Sequence, residues 1–207
     1  MLIFNSQLLI FNPFHFFHSL QELDRQLLLA ANRTHGPVLD AVMLFASERL
    51  VWFPAYALLI GWLIYRFRRR AILLLPVLVV AVALADSITS RIFKPYFARL
   101  RPCHDAAVAP LLYMPWGCGG QFGFLSSHAA NTAALAVFLL FGLPLGRYRP
   151  LKIGVFLWAA LLSYSRVYLG AHYPSDVLGG AAVGSLLGAA AAALYRRRYR
   201  AVPTTTE

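Results

Sequence analysis

Residues 71–92 read AILLLPVLVVAVALADSITSRI, and this run decides the fold class. Positions 71–85 carry no polar side chain, and the first charge is Asp86. Crossing a bilayer core takes about 20 helical residues, and a proline such as Pro76 is tolerated inside a membrane helix. Four more stretches are similarly apolar: 50–65 (LVWFPAYALLIGWLIY), 128–145, 151–165 and 177–194. Composition agrees, with 59% hydrophobic and 13% charged residues, against roughly 25% charged in an ordinary soluble domain. The expected fold is an all-α integral membrane bundle of five transmembrane helices occupying residues 49–200.

Residues 1–48 read differently. In LQELDRQLLLAAN (20–32), Leu20, Leu23, Leu27 and Leu28 share one helical face, away from Glu22, Asp24, Arg25 and Gln26. That pattern suits a helix lying in the membrane interface, and VLDAVMLFASE (38–48) suits a second short helix. An interfacial hairpin is expected, the alternative being a sixth, broken span. The start has no basic n-region, so no cleavable leader is expected, and 201–207 reads as a disordered tail.

The net charge of +11 raises the question of nucleic acid, but the placement of the charges argues against it. Arg66, Arg68, Arg69 and Arg70 lie between the first two spans. Arg147, Arg149 and Lys152 lie between the third and fourth, and Arg196, Arg197, Arg198 and Arg200 follow the fifth. Five alternating spans put all three clusters on one side, which the positive-inside rule makes the cytoplasm. The C-terminus is then cytoplasmic. The expected location is a bacterial cell membrane, with membrane lipids as neighbours.

The opposite, extracytoplasmic side holds three polar segments that are costly near lipid unless used. These are Lys94 to Pro102 (KPYFARLRP), Leu125-Ser126-Ser127-His128, and Ser165-Arg166 followed by His172 and Asp176. Lys94, Arg101 and Arg166 together suit a phosphate, Arg as a planar fork and Lys as a point charge. Ser126 and Ser127 stand where the third span begins, so free backbone N–H groups add to an anion site. Asp176, four residues after His172, is placed to hold one imidazole nitrogen and leave the other free to attack. His128 remains to protonate a leaving oxygen.

Lys-x6-Arg-Pro, Ser-x-His and Ser-Arg-x5-His-x3-Asp, in that order, resemble the signature of the type 2 phosphatidic acid phosphatase superfamily. Lys94, Arg101, Pro102, Ser165, Arg166, His172 and Asp176 match its first and third motifs. The second departs, because the family usually reads Pro-Ser-Gly-His where this chain has Leu125-Ser126-Ser127-His128. The resemblance implies a lipid phosphatase without metal or cofactor. His172 would form a phosphohistidine, Asp176 would orient it and His128 would serve as acid and then base. Lys94, Arg101, Ser126, Ser127 and Arg166 would hold the phosphoryl oxygens. The substrates considered are undecaprenyl diphosphate, phosphatidic acid, phosphatidylglycerol phosphate and the 1-phosphate of lipid A, the first two preferred. A phosphotransferase using the same histidine, or an inactive lipid-binding protein, are the alternatives.

Other residues carry plainer expectations. Arg99 reads as an outer-surface or headgroup contact, His104 as a solvated loop residue, and Tyr168 and Tyr173 as interfacial aromatics. Asp86 reads as structural, bonded to Ser90 or Arg91, while Asn131 and Thr132 either support His128 or pack. Gly180, Gly184 and Gly188 let another helix approach closely, within the bundle in preference to a dimer seam. Cys103 and Cys118 share the outer loop, and a disulfide there would stabilise by about 3 kcal/mol in the chain-entropy account.

Overall fold

The computed structural model describes residues 13–114, 116–144 and 146–201. Residues 1–12 of the expected hairpin and 202–207 of the expected tail lie outside them. The helices are α1 (Pro13–Asn32), α2 (Pro37–Ser47), α3 (Phe53–Phe67), α4 (Ala71–Ser87), α5 (Lys94–Phe97), α6 (Ser127–Gly142), α7 (Arg149–Tyr168) and α8 (Pro174–Ala201). Among the described residues there is no strand, only an isolated antiparallel bridge between Leu100 and Phe122.

Among the described residues two stretches are long and apolar enough to cross a membrane, Leu50–Phe97 and Pro174–Arg198. The first runs to 48 residues, about 72 Å as one straight helix against a hydrocarbon core of about 30 Å. It breaks at Arg68, whose φ of 46° no helix accommodates, and a 3-10 turn over Arg68–Arg70 leads into α4. The other expected spans coincide with α6 and α7. At 16 residues α6 is short for a crossing, and α7 opens with the polar run RPLK.

α6 is the centre of the bundle. Ala129, Ala130, Ala134, Leu135, Ala136, Val137, Phe138 and Leu139 are all buried there, and α4, α7 and α8 pack around it. The α8 glycine stripe faces α6: a Cβ at Gly180, Gly184 or Gly188 would collide with the carbonyl oxygens of Ser126, Ala130 and Ala134. The stripe therefore serves packing within the bundle. Leu58, Ile72, Val79, Leu157 and Leu186 point outward and are well exposed, which suits a lipid-facing rim.

The three basic clusters meet at one end. Arg66 lies over the Tyr148 ring at 5.8 Å, and Tyr148 stacks edgewise on Trp62 and Phe67. Tyr195, just before the last arginines, packs into the same apolar cluster with Leu63 and Leu74. Lys152 differs from its expected role as a loop cation. It is buried, and its ammonium donates to the carbonyl of Pro144 at 3.1 Å, next to the C-terminal end of α6, where helix carbonyls lack partners.

α1 is amphipathic in the inside-out sense. Leu20, Leu23 and Leu27 are exposed, while Asp24, Leu28 and Asn32 are buried against the bundle. Asn32 donates to the carbonyls of Tyr113 (2.9 Å) and Tyr168 (2.8 Å) and accepts from the Tyr113 N–H. Tyr168 and Tyr173 are buried, so neither is the interfacial aromatic expected. Their hydroxyls donate to Asp40 at 2.5 Å and Asp105 at 2.9 Å.

Candidate active site

The end of the bundle opposite the basic clusters assembles from three chain segments. After α4, a π-helical turn spans Ile88–Phe93, a wide turn common at functional sites, and it delivers Lys94 at its C-terminal side. Thr89, fully buried, donates to the Ala85 carbonyl at 2.8 Å, and its hydroxyl and that of Ser127 share a hydrogen bond at 2.9 Å. Lys94 Nζ donates to the same Ser127 hydroxyl at 3.3 Å. The serine that replaces the family's glycine thus links two segments of the site and steadies Lys94.

Ser126 occupies the N-cap of α6 with extended backbone, yet its hydroxyl makes no capping bond. Its Oγ is buried without a partner, while its N–H donates to the Asp176 carbonyl at 2.9 Å. A buried hydroxyl left unpaired is costly, and here it stands among the residues expected to grip phosphate.

Arg101 is held by the loop that returns over it. Its backbone N–H donates to the Gln121 carbonyl at 3.0 Å, and its Nε to Phe122 at 3.2 Å. Gly123 lets the loop close, because a Cβ there would stand 2.9 Å from Asp176 Oδ2. Cys103 and Cys118 are joined in a disulfide with Cα atoms 5.9 Å apart, tying the two arms of this loop. His104 is exposed and its Nε2 lies 3.0 Å from the Gly119 carbonyl.

The third segment folds back on itself. α7 ends after Arg166, Gly170 takes the left-handed conformation at φ 68°, and the Arg166 carbonyl accepts the N–H groups of Ala171 and His172 at 3.0 and 3.1 Å. One turn thereby brings Arg166 and His172 together. The Arg166 guanidinium donates to Ser47 Oγ, and its Nε is buried without a partner. His172 is 1% exposed. Burial, then the cations of Arg101, Arg166 and Lys94, push its imidazole well below the ordinary histidine range, so it is neutral at neutral pH.

The Asp176 carboxylate is more occupied than a simple histidine partner. His172 Nδ1 lies 3.6 Å from Asp176 Oδ2, within ion-pair reach but outside hydrogen-bond range, and Nδ1 has no hydrogen-bond partner. Oδ2 accepts the Tyr173 N–H at 3.0 Å, and Oδ1 accepts Arg99 at 2.7 Å. Arg99 also bonds Asp24 of α1 at 2.6 Å and Ser175 at 2.7 Å, and lies over the Tyr173 ring at 4.2 Å. Arg99 is therefore no outer-surface contact. With carboxylates on both sides its guanidinium is paired, which is how a charge persists in a partly buried place.

His128, in the first turn of α6, borders a cavity of about 240 Å³ together with Ser127, Asp86 and Asn131. Asp86 takes a different partner from those expected: its Oδ1 accepts Asn131 Nδ2 at 3.0 Å, while Ser90 reaches only its backbone carbonyl. Thr132 donates to the His128 carbonyl at 2.9 Å. Arg49, at the start of the segment leading into α3, acts electrostatically on Lys94, Arg101, His128 and Arg166. Neither Arg49 nor Asp24 stood out in the sequence. Arg49 follows Glu48 and Asp24 precedes Arg25, so in the sequence each reads as half of a neighbouring charge pair in a region without a motif.

An all-helical bundle with lipid-facing apolar helices and a polar, cation-rich pocket at one end defines an integral membrane protein with an enzyme-like site. A family model described as the PAP2 superfamily matches residues 74–200. A lipid A 4'-phosphatase from Bacteroides thetaiotaomicron is 40% identical over 175 residues, covering 82% of this chain and 75% of that one. A lipid A 4'-phosphatase from Porphyromonas gingivalis is 30% identical over 174 residues, covering 81% and 70%. The crystal structure of a transmembrane PAP2-type phosphatidylglycerolphosphate phosphatase from Bacillus subtilis superposes with a TM-score of 0.63 at 27% identity, covering 91% of this chain and 90% of that one. The chain belongs to the PAP2 superfamily and is a phosphatase.

Proposed function

We propose that the chain removes a phosphate monoester from the sugar headgroup of a lipid A-type glycolipid, through a phosphohistidine at His172. The observation that carries this is a buried imidazole, His172, that one turn holds against Arg166 and that has the Asp176 carboxylate 3.6 Å from its Nδ1. The glycolipid, in place of the undecaprenyl diphosphate or phosphatidate preferred from sequence, follows from similarity to two lipid A 4'-phosphatases over four-fifths of the chain.

In this reading the three cations and the N–H groups at the start of α6 take the phosphoryl oxygens and stabilise the charge that spreads over them in the transition state. Nε2 of His172, the ring nitrogen that does not face Asp176, attacks phosphorus, and the bond from phosphorus to the sugar oxygen breaks. His128 gives that oxygen a proton. Water then attacks phosphorus, His128 takes the water's proton, and the phosphorus–nitrogen bond breaks to release phosphate and restore His172. Asp176 stabilises the positive charge carried by the imidazole in between. We read α3, α4 with α5, α6, α7 and α8 as five crossings. The basic clusters lie on the cytoplasmic side with the C-terminus, and the site lies at the outer face of a bacterial cell membrane.

The test is phosphate release by the purified protein in detergent from a lipid A-type diglucosamine phosphate, with and without EDTA. Alkaline quenching of a reaction with 32P-labelled substrate accompanies it. Release survives EDTA, an acid-labile label appears on the protein, and His172→Ala loses both, kcat falling on the order of 10³-fold or more. Undiminished turnover by His172→Ala removes the nucleophile from this scheme.

A further inference from the structure

Asp86 is a carboxylate beside His128 that the scheme above leaves unused. It sits near the end of an apolar helix, among the described residues it makes no salt bridge, and its side chain is exposed to the cavity beside His128. A carboxylate at membrane depth is costly unless it has work. Its neighbour Asn131 donates to it and keeps its own Oδ1 buried with no donor at all. Each of the two side chains therefore keeps acceptor capacity left over. Trp52, Phe53, Tyr56 and Leu162 give the same cavity an apolar wall, and Glu48 and Arg49 line it alongside Asp86.

The position of the cavity sets its role. Ser127 and His128 line it, and the group that leaves phosphorus must depart past His128 if His128 protonates it. At about 240 Å³ it is below the usual range of about 300–1,000 Å³ for ligand pockets, so it has room for a ring but not for a lipid body.

We infer that this cavity binds the sugar ring that carries the phosphate, with Asp86 and Asn131 accepting its hydroxyl or amide hydrogens. The inference rests on the glycolipid reading above and adds to it the residues that select the headgroup. A diacylglycerol or polyprenyl leaving group has no donors at that position and leaves both acceptors unpaired, the kind of mismatch that gives strong discrimination.

The test compares kcat/KM for a lipid A-type diglucosamine phosphate and for phosphatidic acid, in mixed micelles, in the unaltered protein, Asp86→Ala and Asn131→Ala. The ratio of glycolipid to phosphatidate falls roughly 10- to 100-fold in each variant. Using the ratio removes any effect of Asp86 on Lys94 that both substrates share. Asp86→Asn, which keeps size and one acceptor, falls between, and stands in for Asp86→Ala if that variant is not monodisperse. An unchanged ratio in variants of a protein that does hydrolyse the glycolipid overturns this inference alone. Phosphate release from phosphatidic acid but none from the glycolipid overturns the glycolipid reading and this inference together.

Discussion

At one end of the bundle Arg68, Arg69, Arg147, Arg149, Arg197 and Arg198 are exposed, and no guanidinium among them donates a hydrogen bond among those described. At the other end Arg101 is buried, Arg99 and Arg166 are half-buried, and each is tied to the chain by named partners. The two ends share a residue type and differ in what desolvation does to it. Exposed guanidinium groups keep their water and are worth little individually; their collective work is to orient the chain in the membrane. Partly desolvated ones act strongly on whatever lies beside them, and here that is the His172 ring. Charge alone therefore does not mark a site, but charge held away from water does.

The widest gap between the two ends is in catalysis. Arg166→Ala lowers kcat/KM by about 10²–10³-fold, the loss expected when a preorganised group aimed at developing charge is removed. Arg197→Ala leaves it within about twofold. Phosphate-release kinetics on both variants check this, and equal losses would erase the distinction drawn between the ends.

A smaller effect is expected at Arg99, which touches Asp176 and α1 rather than the phosphate. Asp24→Asn weakens one arm of the Asp24–Arg99–Asp176 chain and lowers kcat roughly tenfold or less, with KM nearly unchanged. A KM change without a kcat change would move Arg99 from positioning His172 to contacting substrate.

The subtlest signature is in pH. Lowering of the His172 pKa by burial and by Arg101, Arg166 and Lys94 keeps the ring neutral well below pH 6.5, so the acid limb of kcat/KM due to this group lies below that value. Removing a cation relieves the repulsion of the proton, so Arg101→Gln moves that limb to higher pH. A limb that stays put, or moves down, means that the cations do not act on His172.

The outline of the site was legible because its residues keep fixed spacings. Arg166, His172 and Asp176 fall within eleven positions, and one helix end and one turn suffice to gather them. The partners of Arg99 and Asp86 were missed because they are distant in sequence: Asp24 lies 75 residues from Arg99, and Asn131 lies 45 from Asp86. Periodicity reports which face a residue occupies, not which chain arrives opposite. Tyr168 and Tyr173 were misplaced for the same reason, since their acceptors Asp40 and Asp105 belong to other segments.

Sequence by itself determined that this chain is a membrane-embedded helical bundle with its basic clusters segregated from its motif residues, because long apolar runs and clustered charge have few alternatives in a bilayer. Tertiary structure alone decided which charges meet. It set Asp24 against Arg99, Arg49 near the cationic cluster and Asp86 beside Asn131, and it turned the α8 glycines onto α6. The physical reason is that pairing and desolvation depend on distance in space, which a linear pattern records only when the partners are a few residues apart.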